Sequence, residues 1–369
     1  MKVLILYTAA LGYGHKRSAQ AIEKSLRRLY KDVEVTTLNA LYESTTNFER
    51  ILKYVRLSLL KTIPAVLRLL YKYENSILKV LMPLEILVYS YYKRKFSIIL
   101  KKCSPDIIVC THAFPCTAIS KLRINVPLVY VVTDFDLMSY HLRTNADIIL
   151  VPNKEIEERM SHLNKKIFIT GVPIDPEFSV KKDKHVLRRK YKLSDKTTIL
   201  VLGGGAGLGY YEKIINTIKN DFEIIISIGN NKTLKEKLEK KFPGIKVFEY
   251  TEDIDEVYRI ADIVITKPGG LTSSELLAIR HPLIITNPLP GIEEKNTAYL
   301  ISKDVAIKVK SLEHLKQIIY DLIKNNKRLM LMKNNASVLA NPESALKAAE
   351  IIRNSVKDNS WSQIRSSDT

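Results

Sequence analysis

Three cysteines in 369 residues are too few for a disulfide framework. Cys103, Cys110 and Cys116 are also too irregularly spaced for a zinc site. A reducing, cytoplasmic setting is expected. No stretch approaches the roughly 18 uncharged apolar residues of a membrane-spanning helix. The first residues enter a strand without a basic leader and cleavage site, so no signal peptide is expected. Neither a P-loop Lys-Ser/Thr nor a G-x-S-x-G elbow occurs, which removes support for P-loop phosphate binding and serine-hydrolase chemistry. Acidic residues are scarce too: the formal net charge is +19, which favours a polyanionic partner, an anionic membrane or nucleic acid.

What is present is one construction used twice. Lys2–Tyr7 is an apolar strand that runs into Gly12-Tyr-Gly-His15, and Thr198–Leu202 runs into the glycine-rich stretch Gly203 to Gly209. Glycine lets backbone approach a ligand, and a helix N-terminus offers N–H groups to an anion. Strands are expected at 2–7, 33–38, 106–110, 127–132, 147–151 and 167–170, and again at 198–202, 222–228, 245–249, 262–266, 282–286 and 305–309. Helical patterns alternate with them, notably at 15–30 and 153–163. Such alternation predicts an α/β chain with two doubly wound, parallel-sheet domains facing a central cleft. The expected division is residues 1–175, a linker at 176–196, a second domain at 197–330, a helical segment at 331–353 and a polar tail at 354–369.

Neither glycine turn is a dinucleotide fingerprint. The third glycine position of the first is Arg17, and the following strand ends at Asn39 where a ribose-binding acid is expected, which disfavours a nicotinamide or flavin enzyme. His15 stands at a helix mouth, where the dipole disfavours its charged form; it is a candidate base or a structural residue of the turn. The turn at 203–209 is either a phosphate cradle or tight strand–helix packing. Thr266-Lys-Pro-Gly-Gly-Leu-Thr-Ser-Ser-Glu275 ends a strand and opens a helix, with hydroxyls beside a carboxylate expected in the first turn. Glu275 can accept a ribose diol there, and Thr272 to Glu275 also fits a capping box. Thr133-Asp-Phe-Asp136 allows a metal-binding D-x-D or, with Asp134, an orienter of His15 or of an acceptor hydroxyl. Tyr140 and His141 are candidates for the acceptor side.

Residues 50–102 depart from the βα pattern. They carry 12 Lys/Arg against Glu74 and Glu85, a net +10. Arg50, Lys53, Arg56, Lys61, Arg68, Lys72, Lys93, Arg94 and Lys95 are interleaved with leucines, isoleucines and tyrosines. A basic, aromatic amphipathic stretch is the form of an interfacial membrane surface. The same residues also fit a solvated face on core helices, or a nucleic-acid contact lacking a recognised module.

Six blocks occur in the order found in a known family. Gly12-Tyr-Gly-His15 with Ser18-Ala19, Val132-Thr-Asp134, Gly171 to Phe178, Leu202-Gly-Gly-Gly205, Lys267 to Glu275 and Pro290 to Asn296 resemble the monogalactosyldiacylglycerol synthases and bacterial processive diacylglycerol glucosyltransferases. A more distant resemblance is to the peptidoglycan N-acetylglucosaminyltransferase that uses an undecaprenyl-linked acceptor. The resemblance implies the GT-B arrangement of two Rossmann-like domains, a UDP-sugar donor, a lipid acceptor, and inversion at the anomeric carbon without a cofactor or obligatory metal. By motif, the resemblance makes His15 the base or a residue beside it, with Asp134 near the acceptor. Gly12, Gly14, Gly204, Gly205, Lys267, Gly269, Gly270, Leu271 and Thr272 fall on the donor side. Glu275 holds the ribose, and Glu293 and Asn296 face the sugar. Ile292 departs from the family's usual Gln. The implied enzyme works as a peripheral protein on the inner face of the cell membrane, on an anionic surface and not on nucleic acid. The alternatives are a UDP-GlcNAc transferase with a polyprenyl acceptor, a non-hydrolysing UDP-sugar epimerase and a non-catalytic UDP-sugar sensor.

Overall fold

The computed structural model describes residues 1–9, 12–41, 64–122, 124–204 and 209–357, apart from the side chains of 64, 67, 72 and 75–87. Twelve strands occur among them, each within a residue of its expected ends. The chain divides into two compact units. One comprises Met1–Pro176, Pro290–Ile292 and Glu343–Thr369; the other comprises Glu177–Leu289 and Glu293–Pro342.

In the first unit, β1 (Lys2–Tyr7), β2 (Glu34–Asn39), β3 (Ile107–Cys110), β4 (Leu128–Val131), β5 (Ile148–Val151) and β6 (Lys166–Ile169) form a parallel sheet in the order 2-1-3-4-5-6. The near-continuous apolar runs follow from burial on both faces. Val3, Ile5, Val109 and Val131 pack under α1 (Gly14–Leu29), whereas Leu4, Leu6, Ile108 and Tyr130 pack against the opposite layer. Ile22 and Leu26 of α1 are fully buried, and truncating either to Ala costs about 2–5 kcal/mol. The opposite layer contains α3 (Glu74–Cys103) and α4 (Ala113–Ser120), with Tyr92 and Phe96 of α3 in the core, and α2 (Pro64–Lys72) precedes α3. A short α5 (Lys154–Met160) joins β5 to β6.

The second unit repeats the scheme. Its strands are β7 (Thr198–Leu202), β8 (Glu223–Ser227), β9 (Lys246–Phe248), β10 (Ile263–Thr266), β11 (Leu283–Ile285) and β12 (Ala306–Lys308), ordered 12-11-10-7-8-9 and all parallel. Between them run α7 (Tyr211–Ile218), α8 (Lys232–Lys241), α9 (Ile254–Arg259), α10 (Gly270–Ala278) and α11 (Ile292–Ser302), followed by α12 (Glu313–Lys324) and α13 (Asn326–Leu339).

Two segments differ from expectation. The stretch expected as a linker holds α6 (Lys184–Lys190), which is anchored in the second unit. Asp183 caps it by accepting the N–H groups of His185 and Val186. Lys184 donates to Asp262 and to the Ala261 carbonyl at 2.6 Å each, and Lys182 lies 2.8 Å from the buried Asp255. Charges of the expected linker are therefore ion-paired to α9 and to the residue just before β10. The expected helical segment 331–353 is divided between the units. Its last helix, α14 (Ser344–Lys357), returns to α1 of the first unit, where Ala348, Ala349 and Ile352 join Ile22 and Leu26 in one core. Alanines permit that close approach, and Arg353 closes it with a 2.7 Å pair to Asp32.

Candidate active site

In an open α/β sheet, ligands bind beyond the carboxyl ends of the strands, where the strand order reverses. That reversal lies between β1 and β3 in the first unit and between β7 and β10 in the second. The two glycine turns follow β1 and β7, and the Lys267–Gly270 turn follows β10. Sequence and topology select the same places.

At the first reversal, Gly12 adopts φ +141°, a backbone conformation favouring glycine, and Gly14 starts α1. No side chain caps that helix and its first turn holds no acid. His15, its second residue, places Nδ1 2.8 Å from the Thr111 carbonyl oxygen and 3.0 Å from Thr133 Oγ1. A carbonyl oxygen only accepts, so the ring proton resides on Nδ1 and Nε2 is the basic nitrogen. Thr111 Oγ1 donates back to the His15 carbonyl at 2.9 Å. His112 meets His15 edge to face, with ring centroids 4.6 Å apart. Thr111 and His112 escaped the sequence analysis; their signal was the abrupt change from apolar to polar at the end of β3. The nearby thiols play no nucleophilic part: Cys110 and Cys116 are fully buried, and burial pushes the Cys116 thiol well up.

Asp134 follows Thr133 directly and is half-buried. The other half of the D-x-D, Asp136, accepts from Arg159 at 2.6 Å and from the Leu137 N–H, so that carboxylate serves the loop. His141 is buried, its Nδ1 accepts the Met138 N–H at 2.8 Å, and its ring lies 4.2 Å from that of Tyr140. The structure thus gives His141 a turn-closing role, with the half-buried Tyr140 beside it.

At the second reversal, Gly204 has φ +67°, whereas Gly205 lies outside the described residues. Lys267 is buried after β10. Gly269 is the N-cap of α10 and Gly270 its first residue. Thr272 is consequently the third helical residue, not a cap, and no side chain caps this helix. The capping-box expectation fails because two glycines start the helix before the hydroxyls are reached. Glu275 moves with it, from the expected first turn into the second, and is fully buried. The first intrahelical bond on this side is Ser273 N–H to the Gly269 carbonyl, 2.9 Å. The N–H groups of Gly270, Leu271 and Thr272 therefore precede the intrahelical ladder, with no acid in that turn: an anion site in the making. A Cβ on Gly269 would meet nothing within 4 Å, so this approach is open. Asn296 of α11 is fully buried and donates to the Pro268 carbonyl at 3.0 Å. Glu293 accepts the Leu289 N–H at 2.7 Å. Both brace the ends of the turns, which the expectation of sugar contacts did not anticipate.

The basic region is described in part. Arg50, Lys53, Arg56 and Lys61 lie outside the described residues, and Lys72 is placed only by its backbone in α2. Val66, Leu69, Leu70 and Tyr73, on and just after α2, are exposed beside Arg68. On α3, Lys93 and Arg94 are exposed, and Lys95 lies 5.1 Å over the exposed Tyr91 ring. No described helix is long and apolar enough to cross a membrane.

Comparison with known proteins gives the family and the fold. Residues 15–174 match the monogalactosyldiacylglycerol (MGDG) synthase family, and residues 198–352 match the glycosyltransferase family 28 C-terminal domain. The processive diacylglycerol beta-glucosyltransferase of Bacillus licheniformis is 30% identical over 365 residues, covering 92% of this chain and 91% of its own length. Among solved structures, Acinetobacter baumannii MurG superimposes with a TM-score of 0.59 at 18% identity, covering 96% of this chain and 99% of its own. The Neisseria meningitidis UDP-GlcNAc 2-epimerase bound to UDP-GlcNAc gives 0.56 at 12% identity, covering 97% and 100%. The fold is GT-B, and the chain belongs to the family of monogalactosyldiacylglycerol synthases and processive diacylglycerol glucosyltransferases; it is a glycosyltransferase.

Proposed function

We propose, from that membership, that the protein transfers a hexose from a UDP-sugar to diacylglycerol, with inversion at the anomeric carbon, on an anionic membrane surface. The observation that carries this reading is the fixed tautomer of His15, which leaves Nε2 as a base at the reversal point of the first sheet. The reaction is a single in-line displacement. The lipid hydroxyl oxygen bonds to the anomeric carbon, its proton passes to His15 Nε2, and the bond from that carbon to the diphosphate oxygen breaks. UDP departs with the added charge. The N–H groups of Gly270, Leu271 and Thr272, at the positive end of α10, stabilise that charge without calling on a metal. Glu275 receives the ribose diol. Asp134, next to the Thr133 hydroxyl that contacts His15, lies on the acceptor side.

Exposed Val66, Leu69, Leu70 and Tyr73 supply apolar area for an interface, and each flanking Lys or Arg adds about 1 kcal/mol of attraction to anionic lipid. The test incubates purified protein with a panel of UDP-sugars and vesicles containing diacylglycerol and phosphatidylglycerol, followed by lipid mass spectrometry and flotation. A monohexosyl lipid with the anomeric configuration inverted, and flotation that weakens between low and moderate salt, are the expected results. UDP-sugar turnover that leaves diacylglycerol unmodified contradicts the reading and points to an epimerase.

A further inference from the structure

An aromatic ring of the amphipathic helix α2 lies against the Pro290 to Asn296 block. Ala65, Val66, Arg68, Leu69 and Leu70 of α2 are exposed, whereas Tyr71 is half-buried. Gly291 shows where that ring goes. It is buried with φ +92°, and a Cβ built on it would stand 3.0–3.1 Å from Cδ2, Cε2 and Cγ of Tyr71. The ring therefore packs on a bare Cα, and both the space and the backbone conformation there call for glycine. Pro290–Ile292 belong to the first unit with α2, although the chain on either side of them belongs to the second.

The turn beneath Tyr71 is tied to the start of α10. Glu293, two residues after Gly291, closes the turn by accepting the Leu289 N–H at 2.7 Å. Asn296, in the same helix, donates to the Pro268 carbonyl at 3.0 Å, one residue before the Gly269 N-cap of α10. At nine residues, α2 is too short to be stable by itself, and it leaves Val66, Leu69 and Leu70 exposed beside Arg68. Whatever orders that helix steadies the ring on Gly291, and with it the turn that braces the α10 N-terminus. Resting on the membrane and UDP-sugar readings above, we infer that Tyr71 is a positioning residue: its ring links docking of α2 on an anionic lipid surface to UDP binding at α10. Each binding event then strengthens the other. Donor is held best where the lipid acceptor is, and is spared away from the membrane.

The experiment measures UDP affinity by calorimetry with and without phosphatidylglycerol–phosphatidylcholine vesicles lacking diacylglycerol, and vesicle flotation with and without UDP. The wild type is expected to bind UDP about 5–150-fold tighter on the vesicles, and UDP to tighten vesicle binding by the same factor. Tyr71→Phe keeps the ring atoms that touch Gly291 and should keep the whole gain. Tyr71→Ala should bind UDP equally with and without vesicles, near the vesicle-free wild-type affinity, while still floating through Val66, Leu69, Leu70 and Arg68. With diacylglycerol added, its donor KM should rise and kcat at saturating donor change far less. A wild-type UDP affinity indifferent to vesicles overturns the inference while leaving the glycosyltransfer reading standing. So does a gain retained by Tyr71→Ala, at whatever absolute affinity, or one lost by Tyr71→Phe. A wild type that binds no UDP, or does not float, overturns the donor or membrane reading itself, and this inference with it.

Discussion

The reversal points of the two sheets share a scaffold and carry different chemistry. In the first unit the strand ends and first helical turn present His15, Thr111, His112, Thr133 and Asp134, groups that hold or move a proton. In the second they present glycines, Pro268, Thr272 and an uncapped helix start, groups that receive an anion, with Glu275 buried one turn further in. Both helices begin without a side-chain cap, so their dipoles alone do not distinguish them. A handful of residues in the first turn does: Lys16 and Arg17 accompany His15 in α1, whereas α10 opens on Gly270-Leu-Thr272 with no charge. In the proposed reaction the first of these similar βα units handles the proton and the second the diphosphate.

If the division is real, variants on the two sides should fail differently. The largest effect is expected from His15→Ala, which should lower kcat by a factor on the order of 10²–10⁴ with UDP affinity close to normal, by steady-state kinetics and calorimetry. Unchanged turnover removes His15 from the chemistry. Glu275→Gln should do the reverse. Losing a charge-assisted pair of hydrogen bonds weakens UDP binding about 10–100-fold, and kcat at saturating donor changes far less. Thr133→Val sharpens the first side: removing one polar neighbour of His15 Nδ1, while the Thr111 carbonyl remains, should cost about 1 kcal/mol in the transition state, a five- to tenfold drop in kcat. An equal loss in UDP affinity would blur the division.

The smallest effect on activity is expected at His281, beyond the far end of α10, where Arg280 at φ +60° ends the helix. Burial, reinforced by Lys184 and Lys333, lowers the His281 pKa to about 3. A folded-state value below the ordinary 6.5 means that the unfolded chain takes up the proton first. Stability is therefore complete above about pH 6.5 and falls as the pH drops toward 3. His281→Leu should flatten that dependence in urea titrations and leave kcat at neutral pH unaltered. A steep kcat change would place His281 in the chemistry, against this account.

The strands were legible because strands buried on both faces must be apolar throughout, and runs such as Val3-Leu-Ile-Leu6 and Ile199-Leu-Val-Leu202 have few other uses. The glycine turns were legible because few other residues adopt their backbone conformations. Pairings distant in sequence were hidden. Nothing local in Lys184 or Arg188 identifies Asp262 and Thr198 as partners, and the alanines of α14 mark an amphipathic helix without saying that α1 receives it. The position of Glu275 was misjudged by a turn because Thr272-Ser-Ser imitates an N-cap that Gly269 in fact supplies. His112 passed unnoticed because one titratable residue after a strand is ordinary until its neighbour is known.

The most direct test of the division is a crystal structure with uridine diphosphate bound. The account predicts the diphosphate against the N–H groups of Gly270, Leu271 and Thr272 and the ribose hydroxyls on Glu275, with His15 not touching the nucleotide. A nucleotide seated instead at the Gly12–His15 turn, or a vacant α10 N-terminus at saturating ligand, would contradict it.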